Sequence, residues 1–308
     1  MRKRLTISVS PHIHSGRSTS RIMLDVIIAL LPAAVAGCVI FGARAVAVLA
    51  GCVASCVIIE ALYNLLLKRT QTVGDLSAAV TGLLLGMNLP ANIPLWQCVV
   101  GSFFAIIIVK ALFGGLGCNP VNPAMTARVF MVIAFGAMAM PAYPVVADAV
   151  SGATPLAAEA KTPLMKLFLG LHGGSIGEVC AVALLAGGVY LLVRRVITWH
   201  IPVAFMGSVF LFSLFMEGMD PILALSAVLS GGVVLGAIFM ATDYVTSPST
   251  AWGKMIFGVG AGLITCLIRY FGVYPEGVSF AVLFMNILTP YISSWTRYKV
   301  FGKGGKRA

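Results

Sequence analysis

The sequence predicts an all-α polytopic membrane protein of about ten transmembrane helices, arranged as two inverted five-helix repeats with broken helices. Two features of the whole chain favour this class. Of its 308 residues, 59% are hydrophobic and only 10% are charged, which is too apolar for a water-soluble core with a polar surface. Apolar stretches also recur along the chain, each close to the roughly 17 to 25 residues that a spanning helix requires or a little shorter.

These apolar stretches divide the chain into its predicted parts. Residues 1–21 are basic and polar and lack the apolar run of a cleavable leader, so we expect a retained cytoplasmic segment. The ten predicted spans are 22–41, 45–67, 76–90, 96–113, 126–140, 176–193, 201–216, 221–241, 252–270 and 278–296. Five spans form a first repeat over 22–140 and five form a second over 176–296. An outward loop, 141–175, separates the repeats, and 297–308 is a basic cytoplasmic tail.

The third and fifth of these spans are short. Gly82, Gly86, Pro90 and Pro94 interrupt the third, and residues 119–123, which read N-P-V-N-P, precede the fifth. Backbone that leaves a helix at membrane depth must be buried in protein or line a cavity. We therefore expect broken helices at these two places.

The distribution of charge predicts the orientation in the membrane. With the N-terminus inside, seventeen of the 21 Lys and Arg residues, among them Lys110 and Arg128, fall on the cytoplasmic side. Six of the ten acidic residues fall on the outer side. Because Lys and Arg gather in cytoplasmic loops, both termini are expected in the cytoplasm and the loop 141–175 outside. The net charge of +11 then reflects orientation, and we expect no nucleic-acid binding.

A short internal similarity favours two related halves. Residues 82–86 read G-L-L-L-G in the third span, and residues 232–236 read G-V-V-L-G in the eighth. An offset of five spans is odd, so the two halves would be inverted, as is common among transporters. Close helix packing alone also explains many glycines in membrane proteins, and this short match leaves both explanations open.

The predicted outward loop, 141–175, contains a candidate site for covalent attachment of a cofactor. Residues 148–155 read D-A-V-S-G-A-T-P, and this turn resembles the site at which flavin transferases attach FMN through a phosphoester. Gly152 and Ala153 leave the backbone beside the Thr154 hydroxyl uncovered, and the following proline prevents a helix there. Asp148 would help to position a Mg²⁺-bound flavin donor, because a carboxylate suits this cation.

Other acceptors and readings of this loop remain open. Ser151 is the nearest competing hydroxyl, and an ordinary Ser/Gly loop between two spans would have the same composition. A small-solute transporter or channel of inverted-repeat fold would explain the architecture equally well, but it would leave the loop without a role. A third possibility is a scaffold for redox partners that holds no flavin.

The chain as a whole resembles the D subunits of the Rnf-type ion-translocating ferredoxin:NAD oxidoreductases. It is also similar to the B subunit of the sodium-translocating NADH:quinone oxidoreductase. The resemblance covers nearly the whole chain and is carried by S-G-A-T-P-L at 151–156, G-C-N-P-V-N-P-A-M at 117–125, the glycine-rich repeats, and Pro11, His12 and His14 in the basic N-terminal segment. The compact region before the first span favours the Rnf subunits, because the quinone-reductase relative usually has a longer N-terminal extension.

This resemblance implies a redox function. Thr154 would bear covalent FMN, and the chain would pass electrons, coupled to Na⁺ or H⁺ movement, within a multi-subunit complex of a bacterial or archaeal cell (inner) membrane. The expected partners are the other subunits, a flavin transferase for maturation and membrane lipid, and no activity is expected from the chain alone.

Relatives also carry non-covalent riboflavin. The broken-helix region around Asn88, Asn119 and Asn122 is a place where an apolar slot with a few polar contacts could hold it. For each asparagine, satisfying backbone groups at a helix break is the alternative role.

Ionisable residues in spans often mark ion paths. Asp25 and Glu60 lie in predicted spans, but near their cytoplasmic ends, where a carboxylate can reach water. No metal site is expected, because the seven cysteines have no C-x-x-C spacing and two histidines, His12 and His14, do not complete a zinc site.

Overall fold

The fold is entirely helical over the residues that the computed structural model describes, 18–135, 164–170, 172–272 and 277–298. The helices are α1 (Thr19–Phe41), α2 (Ala43–Leu66), α3 (Ser77–Met87), α4 (Leu95–Phe103) with a π-helical continuation (Phe104–Ala111), α5 (Pro123–Ala134), α6 (Leu164–Leu169), α7 (Ala181–Val193), α8 (His200–Met216), α9 (Pro221–Leu229), α10 (Val233–Leu235) with a π-helical continuation (Gly236–Met240), α11 (Ala251–Phe271) and α12 (Val278–Trp295). A 3₁₀ turn, Val73–Asp75, precedes α3.

Ten apolar segments correspond one to one with the ten predicted spans. Within the described ranges, α1, α2, α11 and α12 are long and apolar enough to cross a membrane, and α9 with α10 forms a fifth candidate that is bent by 64°. The other five segments are shorter apolar helices: α3, α4 with its continuation, α5, α7 and α8. The prediction of an all-α polytopic membrane protein is confirmed.

Polar caps fix the starts of three helices. The side chains of Asn122, Asp220 and Thr250 accept hydrogen bonds from backbone N–H groups in the first turns of α5, α9 and α11. Proline follows the first two of these caps, and proline at the first helical position loses no intrahelical hydrogen bond. The N-P dipeptide thus ends the irregular segment before α5 and begins the helix.

The structure relocates the predicted helix breaks. Gly82 and Gly86 lie inside an unbroken α3, where a Cβ on Gly82 would come within 2.7 Å of the Cys52 carbonyl oxygen. These glycines therefore let α3 approach α2 closely, and the prediction that they interrupt the span is wrong. α3 ends at Met87, and the segment 88–94 with its two prolines joins it to α4.

The sharper break lies between α9 and α10. Gly231 and Gly232 have φ angles of 63° and 71° there, a left-handed conformation that glycine adopts without the penalty of a Cβ. In the second copy of the glycine pattern, Gly232 therefore marks a true change of direction. In the first copy, Gly82 instead allows α3 to pack closely against α2.

Helix packing supports two five-helix halves. α1 packs against α7, and α5 packs against α12. Within the halves, α2 packs on α3 and α4, while α8 packs on α9 and α11. With an offset of five spans, each of these two helix pairs, α1 with α7 and α5 with α12, joins corresponding helices of the predicted halves, as a pseudo-two-fold axis would place them. The inversion of the halves across the membrane and the boundaries 22–140, 141–175 and 176–296 stay predictions.

The helix surfaces suit a bilayer. Large apolar side chains such as Val39, Leu66, Ile133 and Phe215 are exposed on the outside of the bundle. The tryptophans lie at helix ends and are more than half exposed: Trp96, Trp199, Trp252 and Trp295. Tryptophan at the ends of spans is typical of the two membrane–water interfaces.

Candidate functional site

The predicted attachment loop, with Asp148, Ser151, Gly152, Ala153 and Thr154, lies outside the described residues. The N-terminal segment with His12 and His14 does so as well. The described candidate site is the region where the short helices end inside the bundle.

Three interrupted elements meet at two of the predicted asparagines. Asn122, which begins α5, donates from Nδ2 to the Met240 carbonyl oxygen at 3.2 Å, at the end of the α10 continuation. Asn88, just after α3, donates to the Leu84 carbonyl oxygen at 2.7 Å and lies 3.4 Å from the Met240 sulfur. Asn122 Oδ1 also accepts from the backbone N–H groups of Ala124 and Met125. Both side chains therefore satisfy helix ends, which is the alternative role that the sequence left open.

A buried arginine stands beside this junction. Arg128, in α5, is 3% exposed and donates to the Asn88 carbonyl oxygen at the C-terminal end of α3. A cation at the C-terminus of a helix is favourable because the helix dipole is negative there. The sequence did not anticipate this burial, because α5 carries the Arg128 side chain into the bundle, and the membrane side to which the charge count assigned Arg128 stays a prediction. A basic residue within an apolar run was the available signal.

Next to the junction lies a cavity of about 280 Å³. Its lining is mostly apolar, from α1, α3, α7 and the α10 continuation, and it reaches the surface at the exposed residues Thr19 and Tyr244. The polar residues that line it include Ser77, Lys110, Asn119, Asn122 and Asp243. Two of the three predicted riboflavin-region asparagines thus line the cavity. Asn88 is not among the lining residues.

A buried ion pair lies at one wall of the cavity. Lys110 Nζ is 2.7 Å from Glu60 Oε2 and 2.6 Å from Ser77 Oγ, and Lys110 and Glu60 are each 5% exposed. The π-helical continuation of α4 carries Lys110, and widened turns of this kind are frequent at functional sites. The expectation that Glu60 reaches water is therefore wrong. Lys110 is buried as well, and the membrane side to which the charge count assigned it stays a prediction. Each is held by the other inside the bundle.

The second predicted carboxylate is also paired. Asp25, in α1, accepts from Arg194 at 3.2 Å and from the Tyr190 hydroxyl at 3.0 Å. This pair joins α1 to α7, the corresponding helices of the two halves. Both predicted carboxylates, Glu60 and Asp25, are thus already in ion pairs and are not isolated ligands for a metal ion.

One acidic residue of the cavity lies between two helices. Burial raises the pKa of Asp243, in the segment between the α10 continuation and α11, although hydrogen bonds from Val245 N and Thr246 Oγ1 lower it. The polar lining of the cavity thus combines one lysine, one carboxyl group and neutral amide and hydroxyl groups. Among the described residues, no group of three or more His, Cys, Asp or Glu side chains could hold a metal ion.

The fold and this region together define a polytopic membrane protein in which several helices end beside an internal cavity that is lined by apolar and a few polar residues. The model of the NQR2, RnfD, RnfE family matches residues 6–302, and the chain belongs to this family. The resemblance seen in the sequence is thereby confirmed.

Similar proteins cover nearly the same length. The D subunit of a Na⁺-translocating ferredoxin:NAD⁺ oxidoreductase complex from Acetobacterium woodii is 48% identical over 97% of this chain and 95% of its own. The D subunit of a proton-translocating ferredoxin:NAD⁺ oxidoreductase complex from Clostridium ljungdahlii is 40% identical over 96% of each chain. The D subunit of an ion-translocating oxidoreductase complex from Erwinia tasmaniensis is 38% identical over 96% of this chain and 98% of its own.

Proposed function

We propose that this chain is the membrane D-type subunit of an ion-translocating ferredoxin:NAD oxidoreductase complex and passes electrons through FMN phosphoester-linked to Thr154. The observation that carries the proposal is the combination of family membership over residues 6–302 with the sequence S-G-A-T-P-L at 151–156. The flavin ring supplies one- and two-electron chemistry, and the protein supplies its position and surroundings.

The proposed orientation follows from the charge asymmetry. Both termini lie in the cytoplasm, and the loop with Thr154 lies on the outer side of a bacterial or archaeal cell membrane. A flavin transferase would act on this loop, and the other subunits of the complex would deliver and remove electrons.

Flavin attachment is tested by fluorescence of the denatured chain after co-expression with a flavin transferase. Thr154→Val should abolish the fluorescent band, because valine has nearly the same shape but no hydroxyl to accept the phosphoester. Thr162→Val is the matched control, since it removes a threonine hydroxyl from the same predicted loop outside the S-G-A-T motif and should leave the band unchanged. A Thr154→Val chain that keeps covalent FMN would contradict the assignment.

A second, non-covalent flavin is proposed in the cavity. At about 280 Å³ the cavity is slightly smaller than the roughly 300–1,000 Å³ usual for ligand pockets. Its apolar walls suit a flat aromatic ring, and Lys110, Asn119 and Asn122 would supply polar contacts. A riboflavin side chain is uncharged, which agrees with a lining that offers few charged groups.

The coupled ion is proposed to be Na⁺ or H⁺. One similar protein belongs to a complex named for sodium and another to a complex named for protons, so similarity does not discriminate between the two ions. Coupling requires two states of the protein that bind the ion differently, and these states would involve the partner subunits.

The broken helices and the cavity also favour a rival function, transport of a small polar solute. The two functions differ in what the isolated chain does. In proteoliposomes, a transporter would take up solute without partners, whereas an electron-transfer subunit would not. Absence of any flavin from the chain would instead favour a scaffold.

A further inference from the structure

A continuous row of hydrogen bonds connects the protein surface with the cavity. Thr72, which is exposed, donates from its hydroxyl to Glu60 Oε1 at 2.5 Å. The other oxygen of Glu60 binds Lys110 Nζ at 2.7 Å, and Lys110 lines the cavity. Asn64 holds the row in place, because its Nδ2 donates to the Thr72 hydroxyl at 2.9 Å. Every group in the row is thus within direct hydrogen-bond distance of the next.

The hydrogen bonds of Lys110 leave one N–H group for the cavity. An ammonium group has three donors, and those of Lys110 go to Glu60 Oε2 and Ser77 Oγ, with no third partner among the described residues. Ser77 gives its own hydroxyl hydrogen to Asp75 Oδ1 at 2.5 Å. The serine can therefore only accept from Lys110, and it fixes the ammonium beside the cavity wall.

The surroundings contain few other groups that could take over this role. Tyr63 faces the same turn but points its hydroxyl at the Ala111 carbonyl oxygen, 3.5 Å away. The Cys56 thiol, on α2, interacts electrostatically with both Lys110 and Glu60. Asp75 accepts from Ser77, and Asp243, which also lines the cavity, accepts from Val245 N and Thr246 Oγ1. A buried ion pair inside a membrane helix bundle is less stabilising than apolar packing of the same volume. Its position between the surface and the cavity therefore indicates a functional role.

We propose that Thr72, Glu60 and Lys110 form a proton path that supplies the cavity from the surface predicted to be cytoplasmic. This inference rests on the proposed flavin in the cavity. A bound flavin would supply two-electron chemistry in which a ring nitrogen takes up one proton. Lys110 gives this proton from Nζ and becomes a neutral amine. The Glu60 carboxylate takes the hydroxyl proton of Thr72, which Thr72 regains from water, and Glu60 passes its proton on to Lys110 Nζ. The chain returns to its initial state, and one proton has moved from water to the ring.

Lys110→Arg is the sharpest variant, because arginine keeps the positive charge opposite Glu60 but does not release a proton in proteins. The double variant Glu60→Gln/Lys110→Met removes both titratable groups together and avoids an unpaired buried charge. Lys254→Arg is the matched control, because Lys254 binds Thr198 at an exposed site outside the row.

The test uses the full-length chain in lipid nanodiscs, made without flavin transferase so that acid-extractable flavin alone contributes. A reduced viologen delivers electrons without releasing protons, and a pH-indicator dye follows proton uptake in a stopped-flow instrument. Proton uptake should slow at least about tenfold in Lys110→Arg and in the double variant. Proton uptake is expressed per acid-extractable flavin, so that a lower flavin content in the Lys110 variants does not count as slower uptake, and Lys254→Arg should match the wild type.

Two results would overturn the inference, and they differ. Unchanged proton uptake in both variants, with flavin present, would reject the proton path and leave the cavity flavin standing. A wild-type chain without acid-extractable flavin would reject the cavity flavin and the path together.

Discussion

Glu60 and Lys110 depend on each other, because each charge is 5% exposed and is the ion-pair partner of the other. Removing one partner leaves a buried charge without its counter-charge, which costs about 3 to 5 kcal/mol. Lys110→Met should therefore lower the stability of the purified chain by this amount, measured as the change in unfolding free energy in detergent.

The double variant Glu60→Gln/Lys110→Met separates charge from packing. It should recover most of the lost stability, because two neutral side chains of similar size replace the pair. Lys254→Met, at a half-buried lysine whose hydrogen bond to Thr198 is exposed, should change stability by less than about 0.5 kcal/mol. A double variant as unstable as the single one would show that the site needs these side chains for packing and that the charges are not decisive.

Asn122 joins the start of α5 to the end of the α10 continuation. Asn122→Ala removes the helix cap, which costs about 1 kcal/mol, and leaves the buried carbonyl oxygen of Met240 without this donor. We expect a loss of about 2 kcal/mol in unfolding free energy. Asn119→Ala is the control, because Asn119 donates only to the nearby Val121 carbonyl oxygen and should cost less. Equal losses of unfolding free energy in the two variants would show that Asn122 stabilises the chain no more than Asn119 does.

At the scale of helices, the sequence predicted all ten apolar segments, because a chain in lipid must satisfy its backbone within helices and the apolar length reports this directly. It did not separate Gly82, which packs against α2, from Gly232, which turns the chain, since both uses need only the absence of a Cβ. The burial of Lys110 and Arg128 was missed for a related reason: a charge near the end of a span is taken for a loop residue until its partner, distant in sequence, is known.

The two uses of glycine predict different responses to alanine. At Gly82 a Cβ would lie 2.7 Å from backbone atoms of Cys52 and Val53, so α2 and α3 must move apart. Gly82→Ala should destabilise the chain by about 1 to 3 kcal/mol. Gly207, inside α8, has open space within 4 Å of the position that a Cβ would take, and Gly207→Ala should be neutral or stabilising by up to about 1 kcal/mol. Thermal unfolding of both variants in one detergent measures the contrast, and equal shifts would contradict the packing role of Gly82.

For the whole molecule, the central prediction is its orientation in the membrane. The charge asymmetry puts the segment between α4 and α5 inside the cell and the loop 141–175 outside. Cys118 lies in the first of these segments and is exposed, whereas Cys52, Cys56, Cys98 and Cys266 are buried. The native chain thus already carries a reporter for one face, and Ser151→Cys adds a reporter for the other.

A membrane-impermeant maleimide should label Cys118 in inside-out vesicles and leave it unlabelled in intact spheroplasts. The Ser151→Cys chain, with Cys118 changed to Ser, should show the opposite pattern, because an odd number of spans, the fifth alone, separates the two positions. Labelling of both positions from the same face would mean that the short helix α5 does not span the membrane. Exchange of both patterns would instead invert the whole chain and place the Thr154 loop, and with it the proposed flavin attachment, in the cytoplasm.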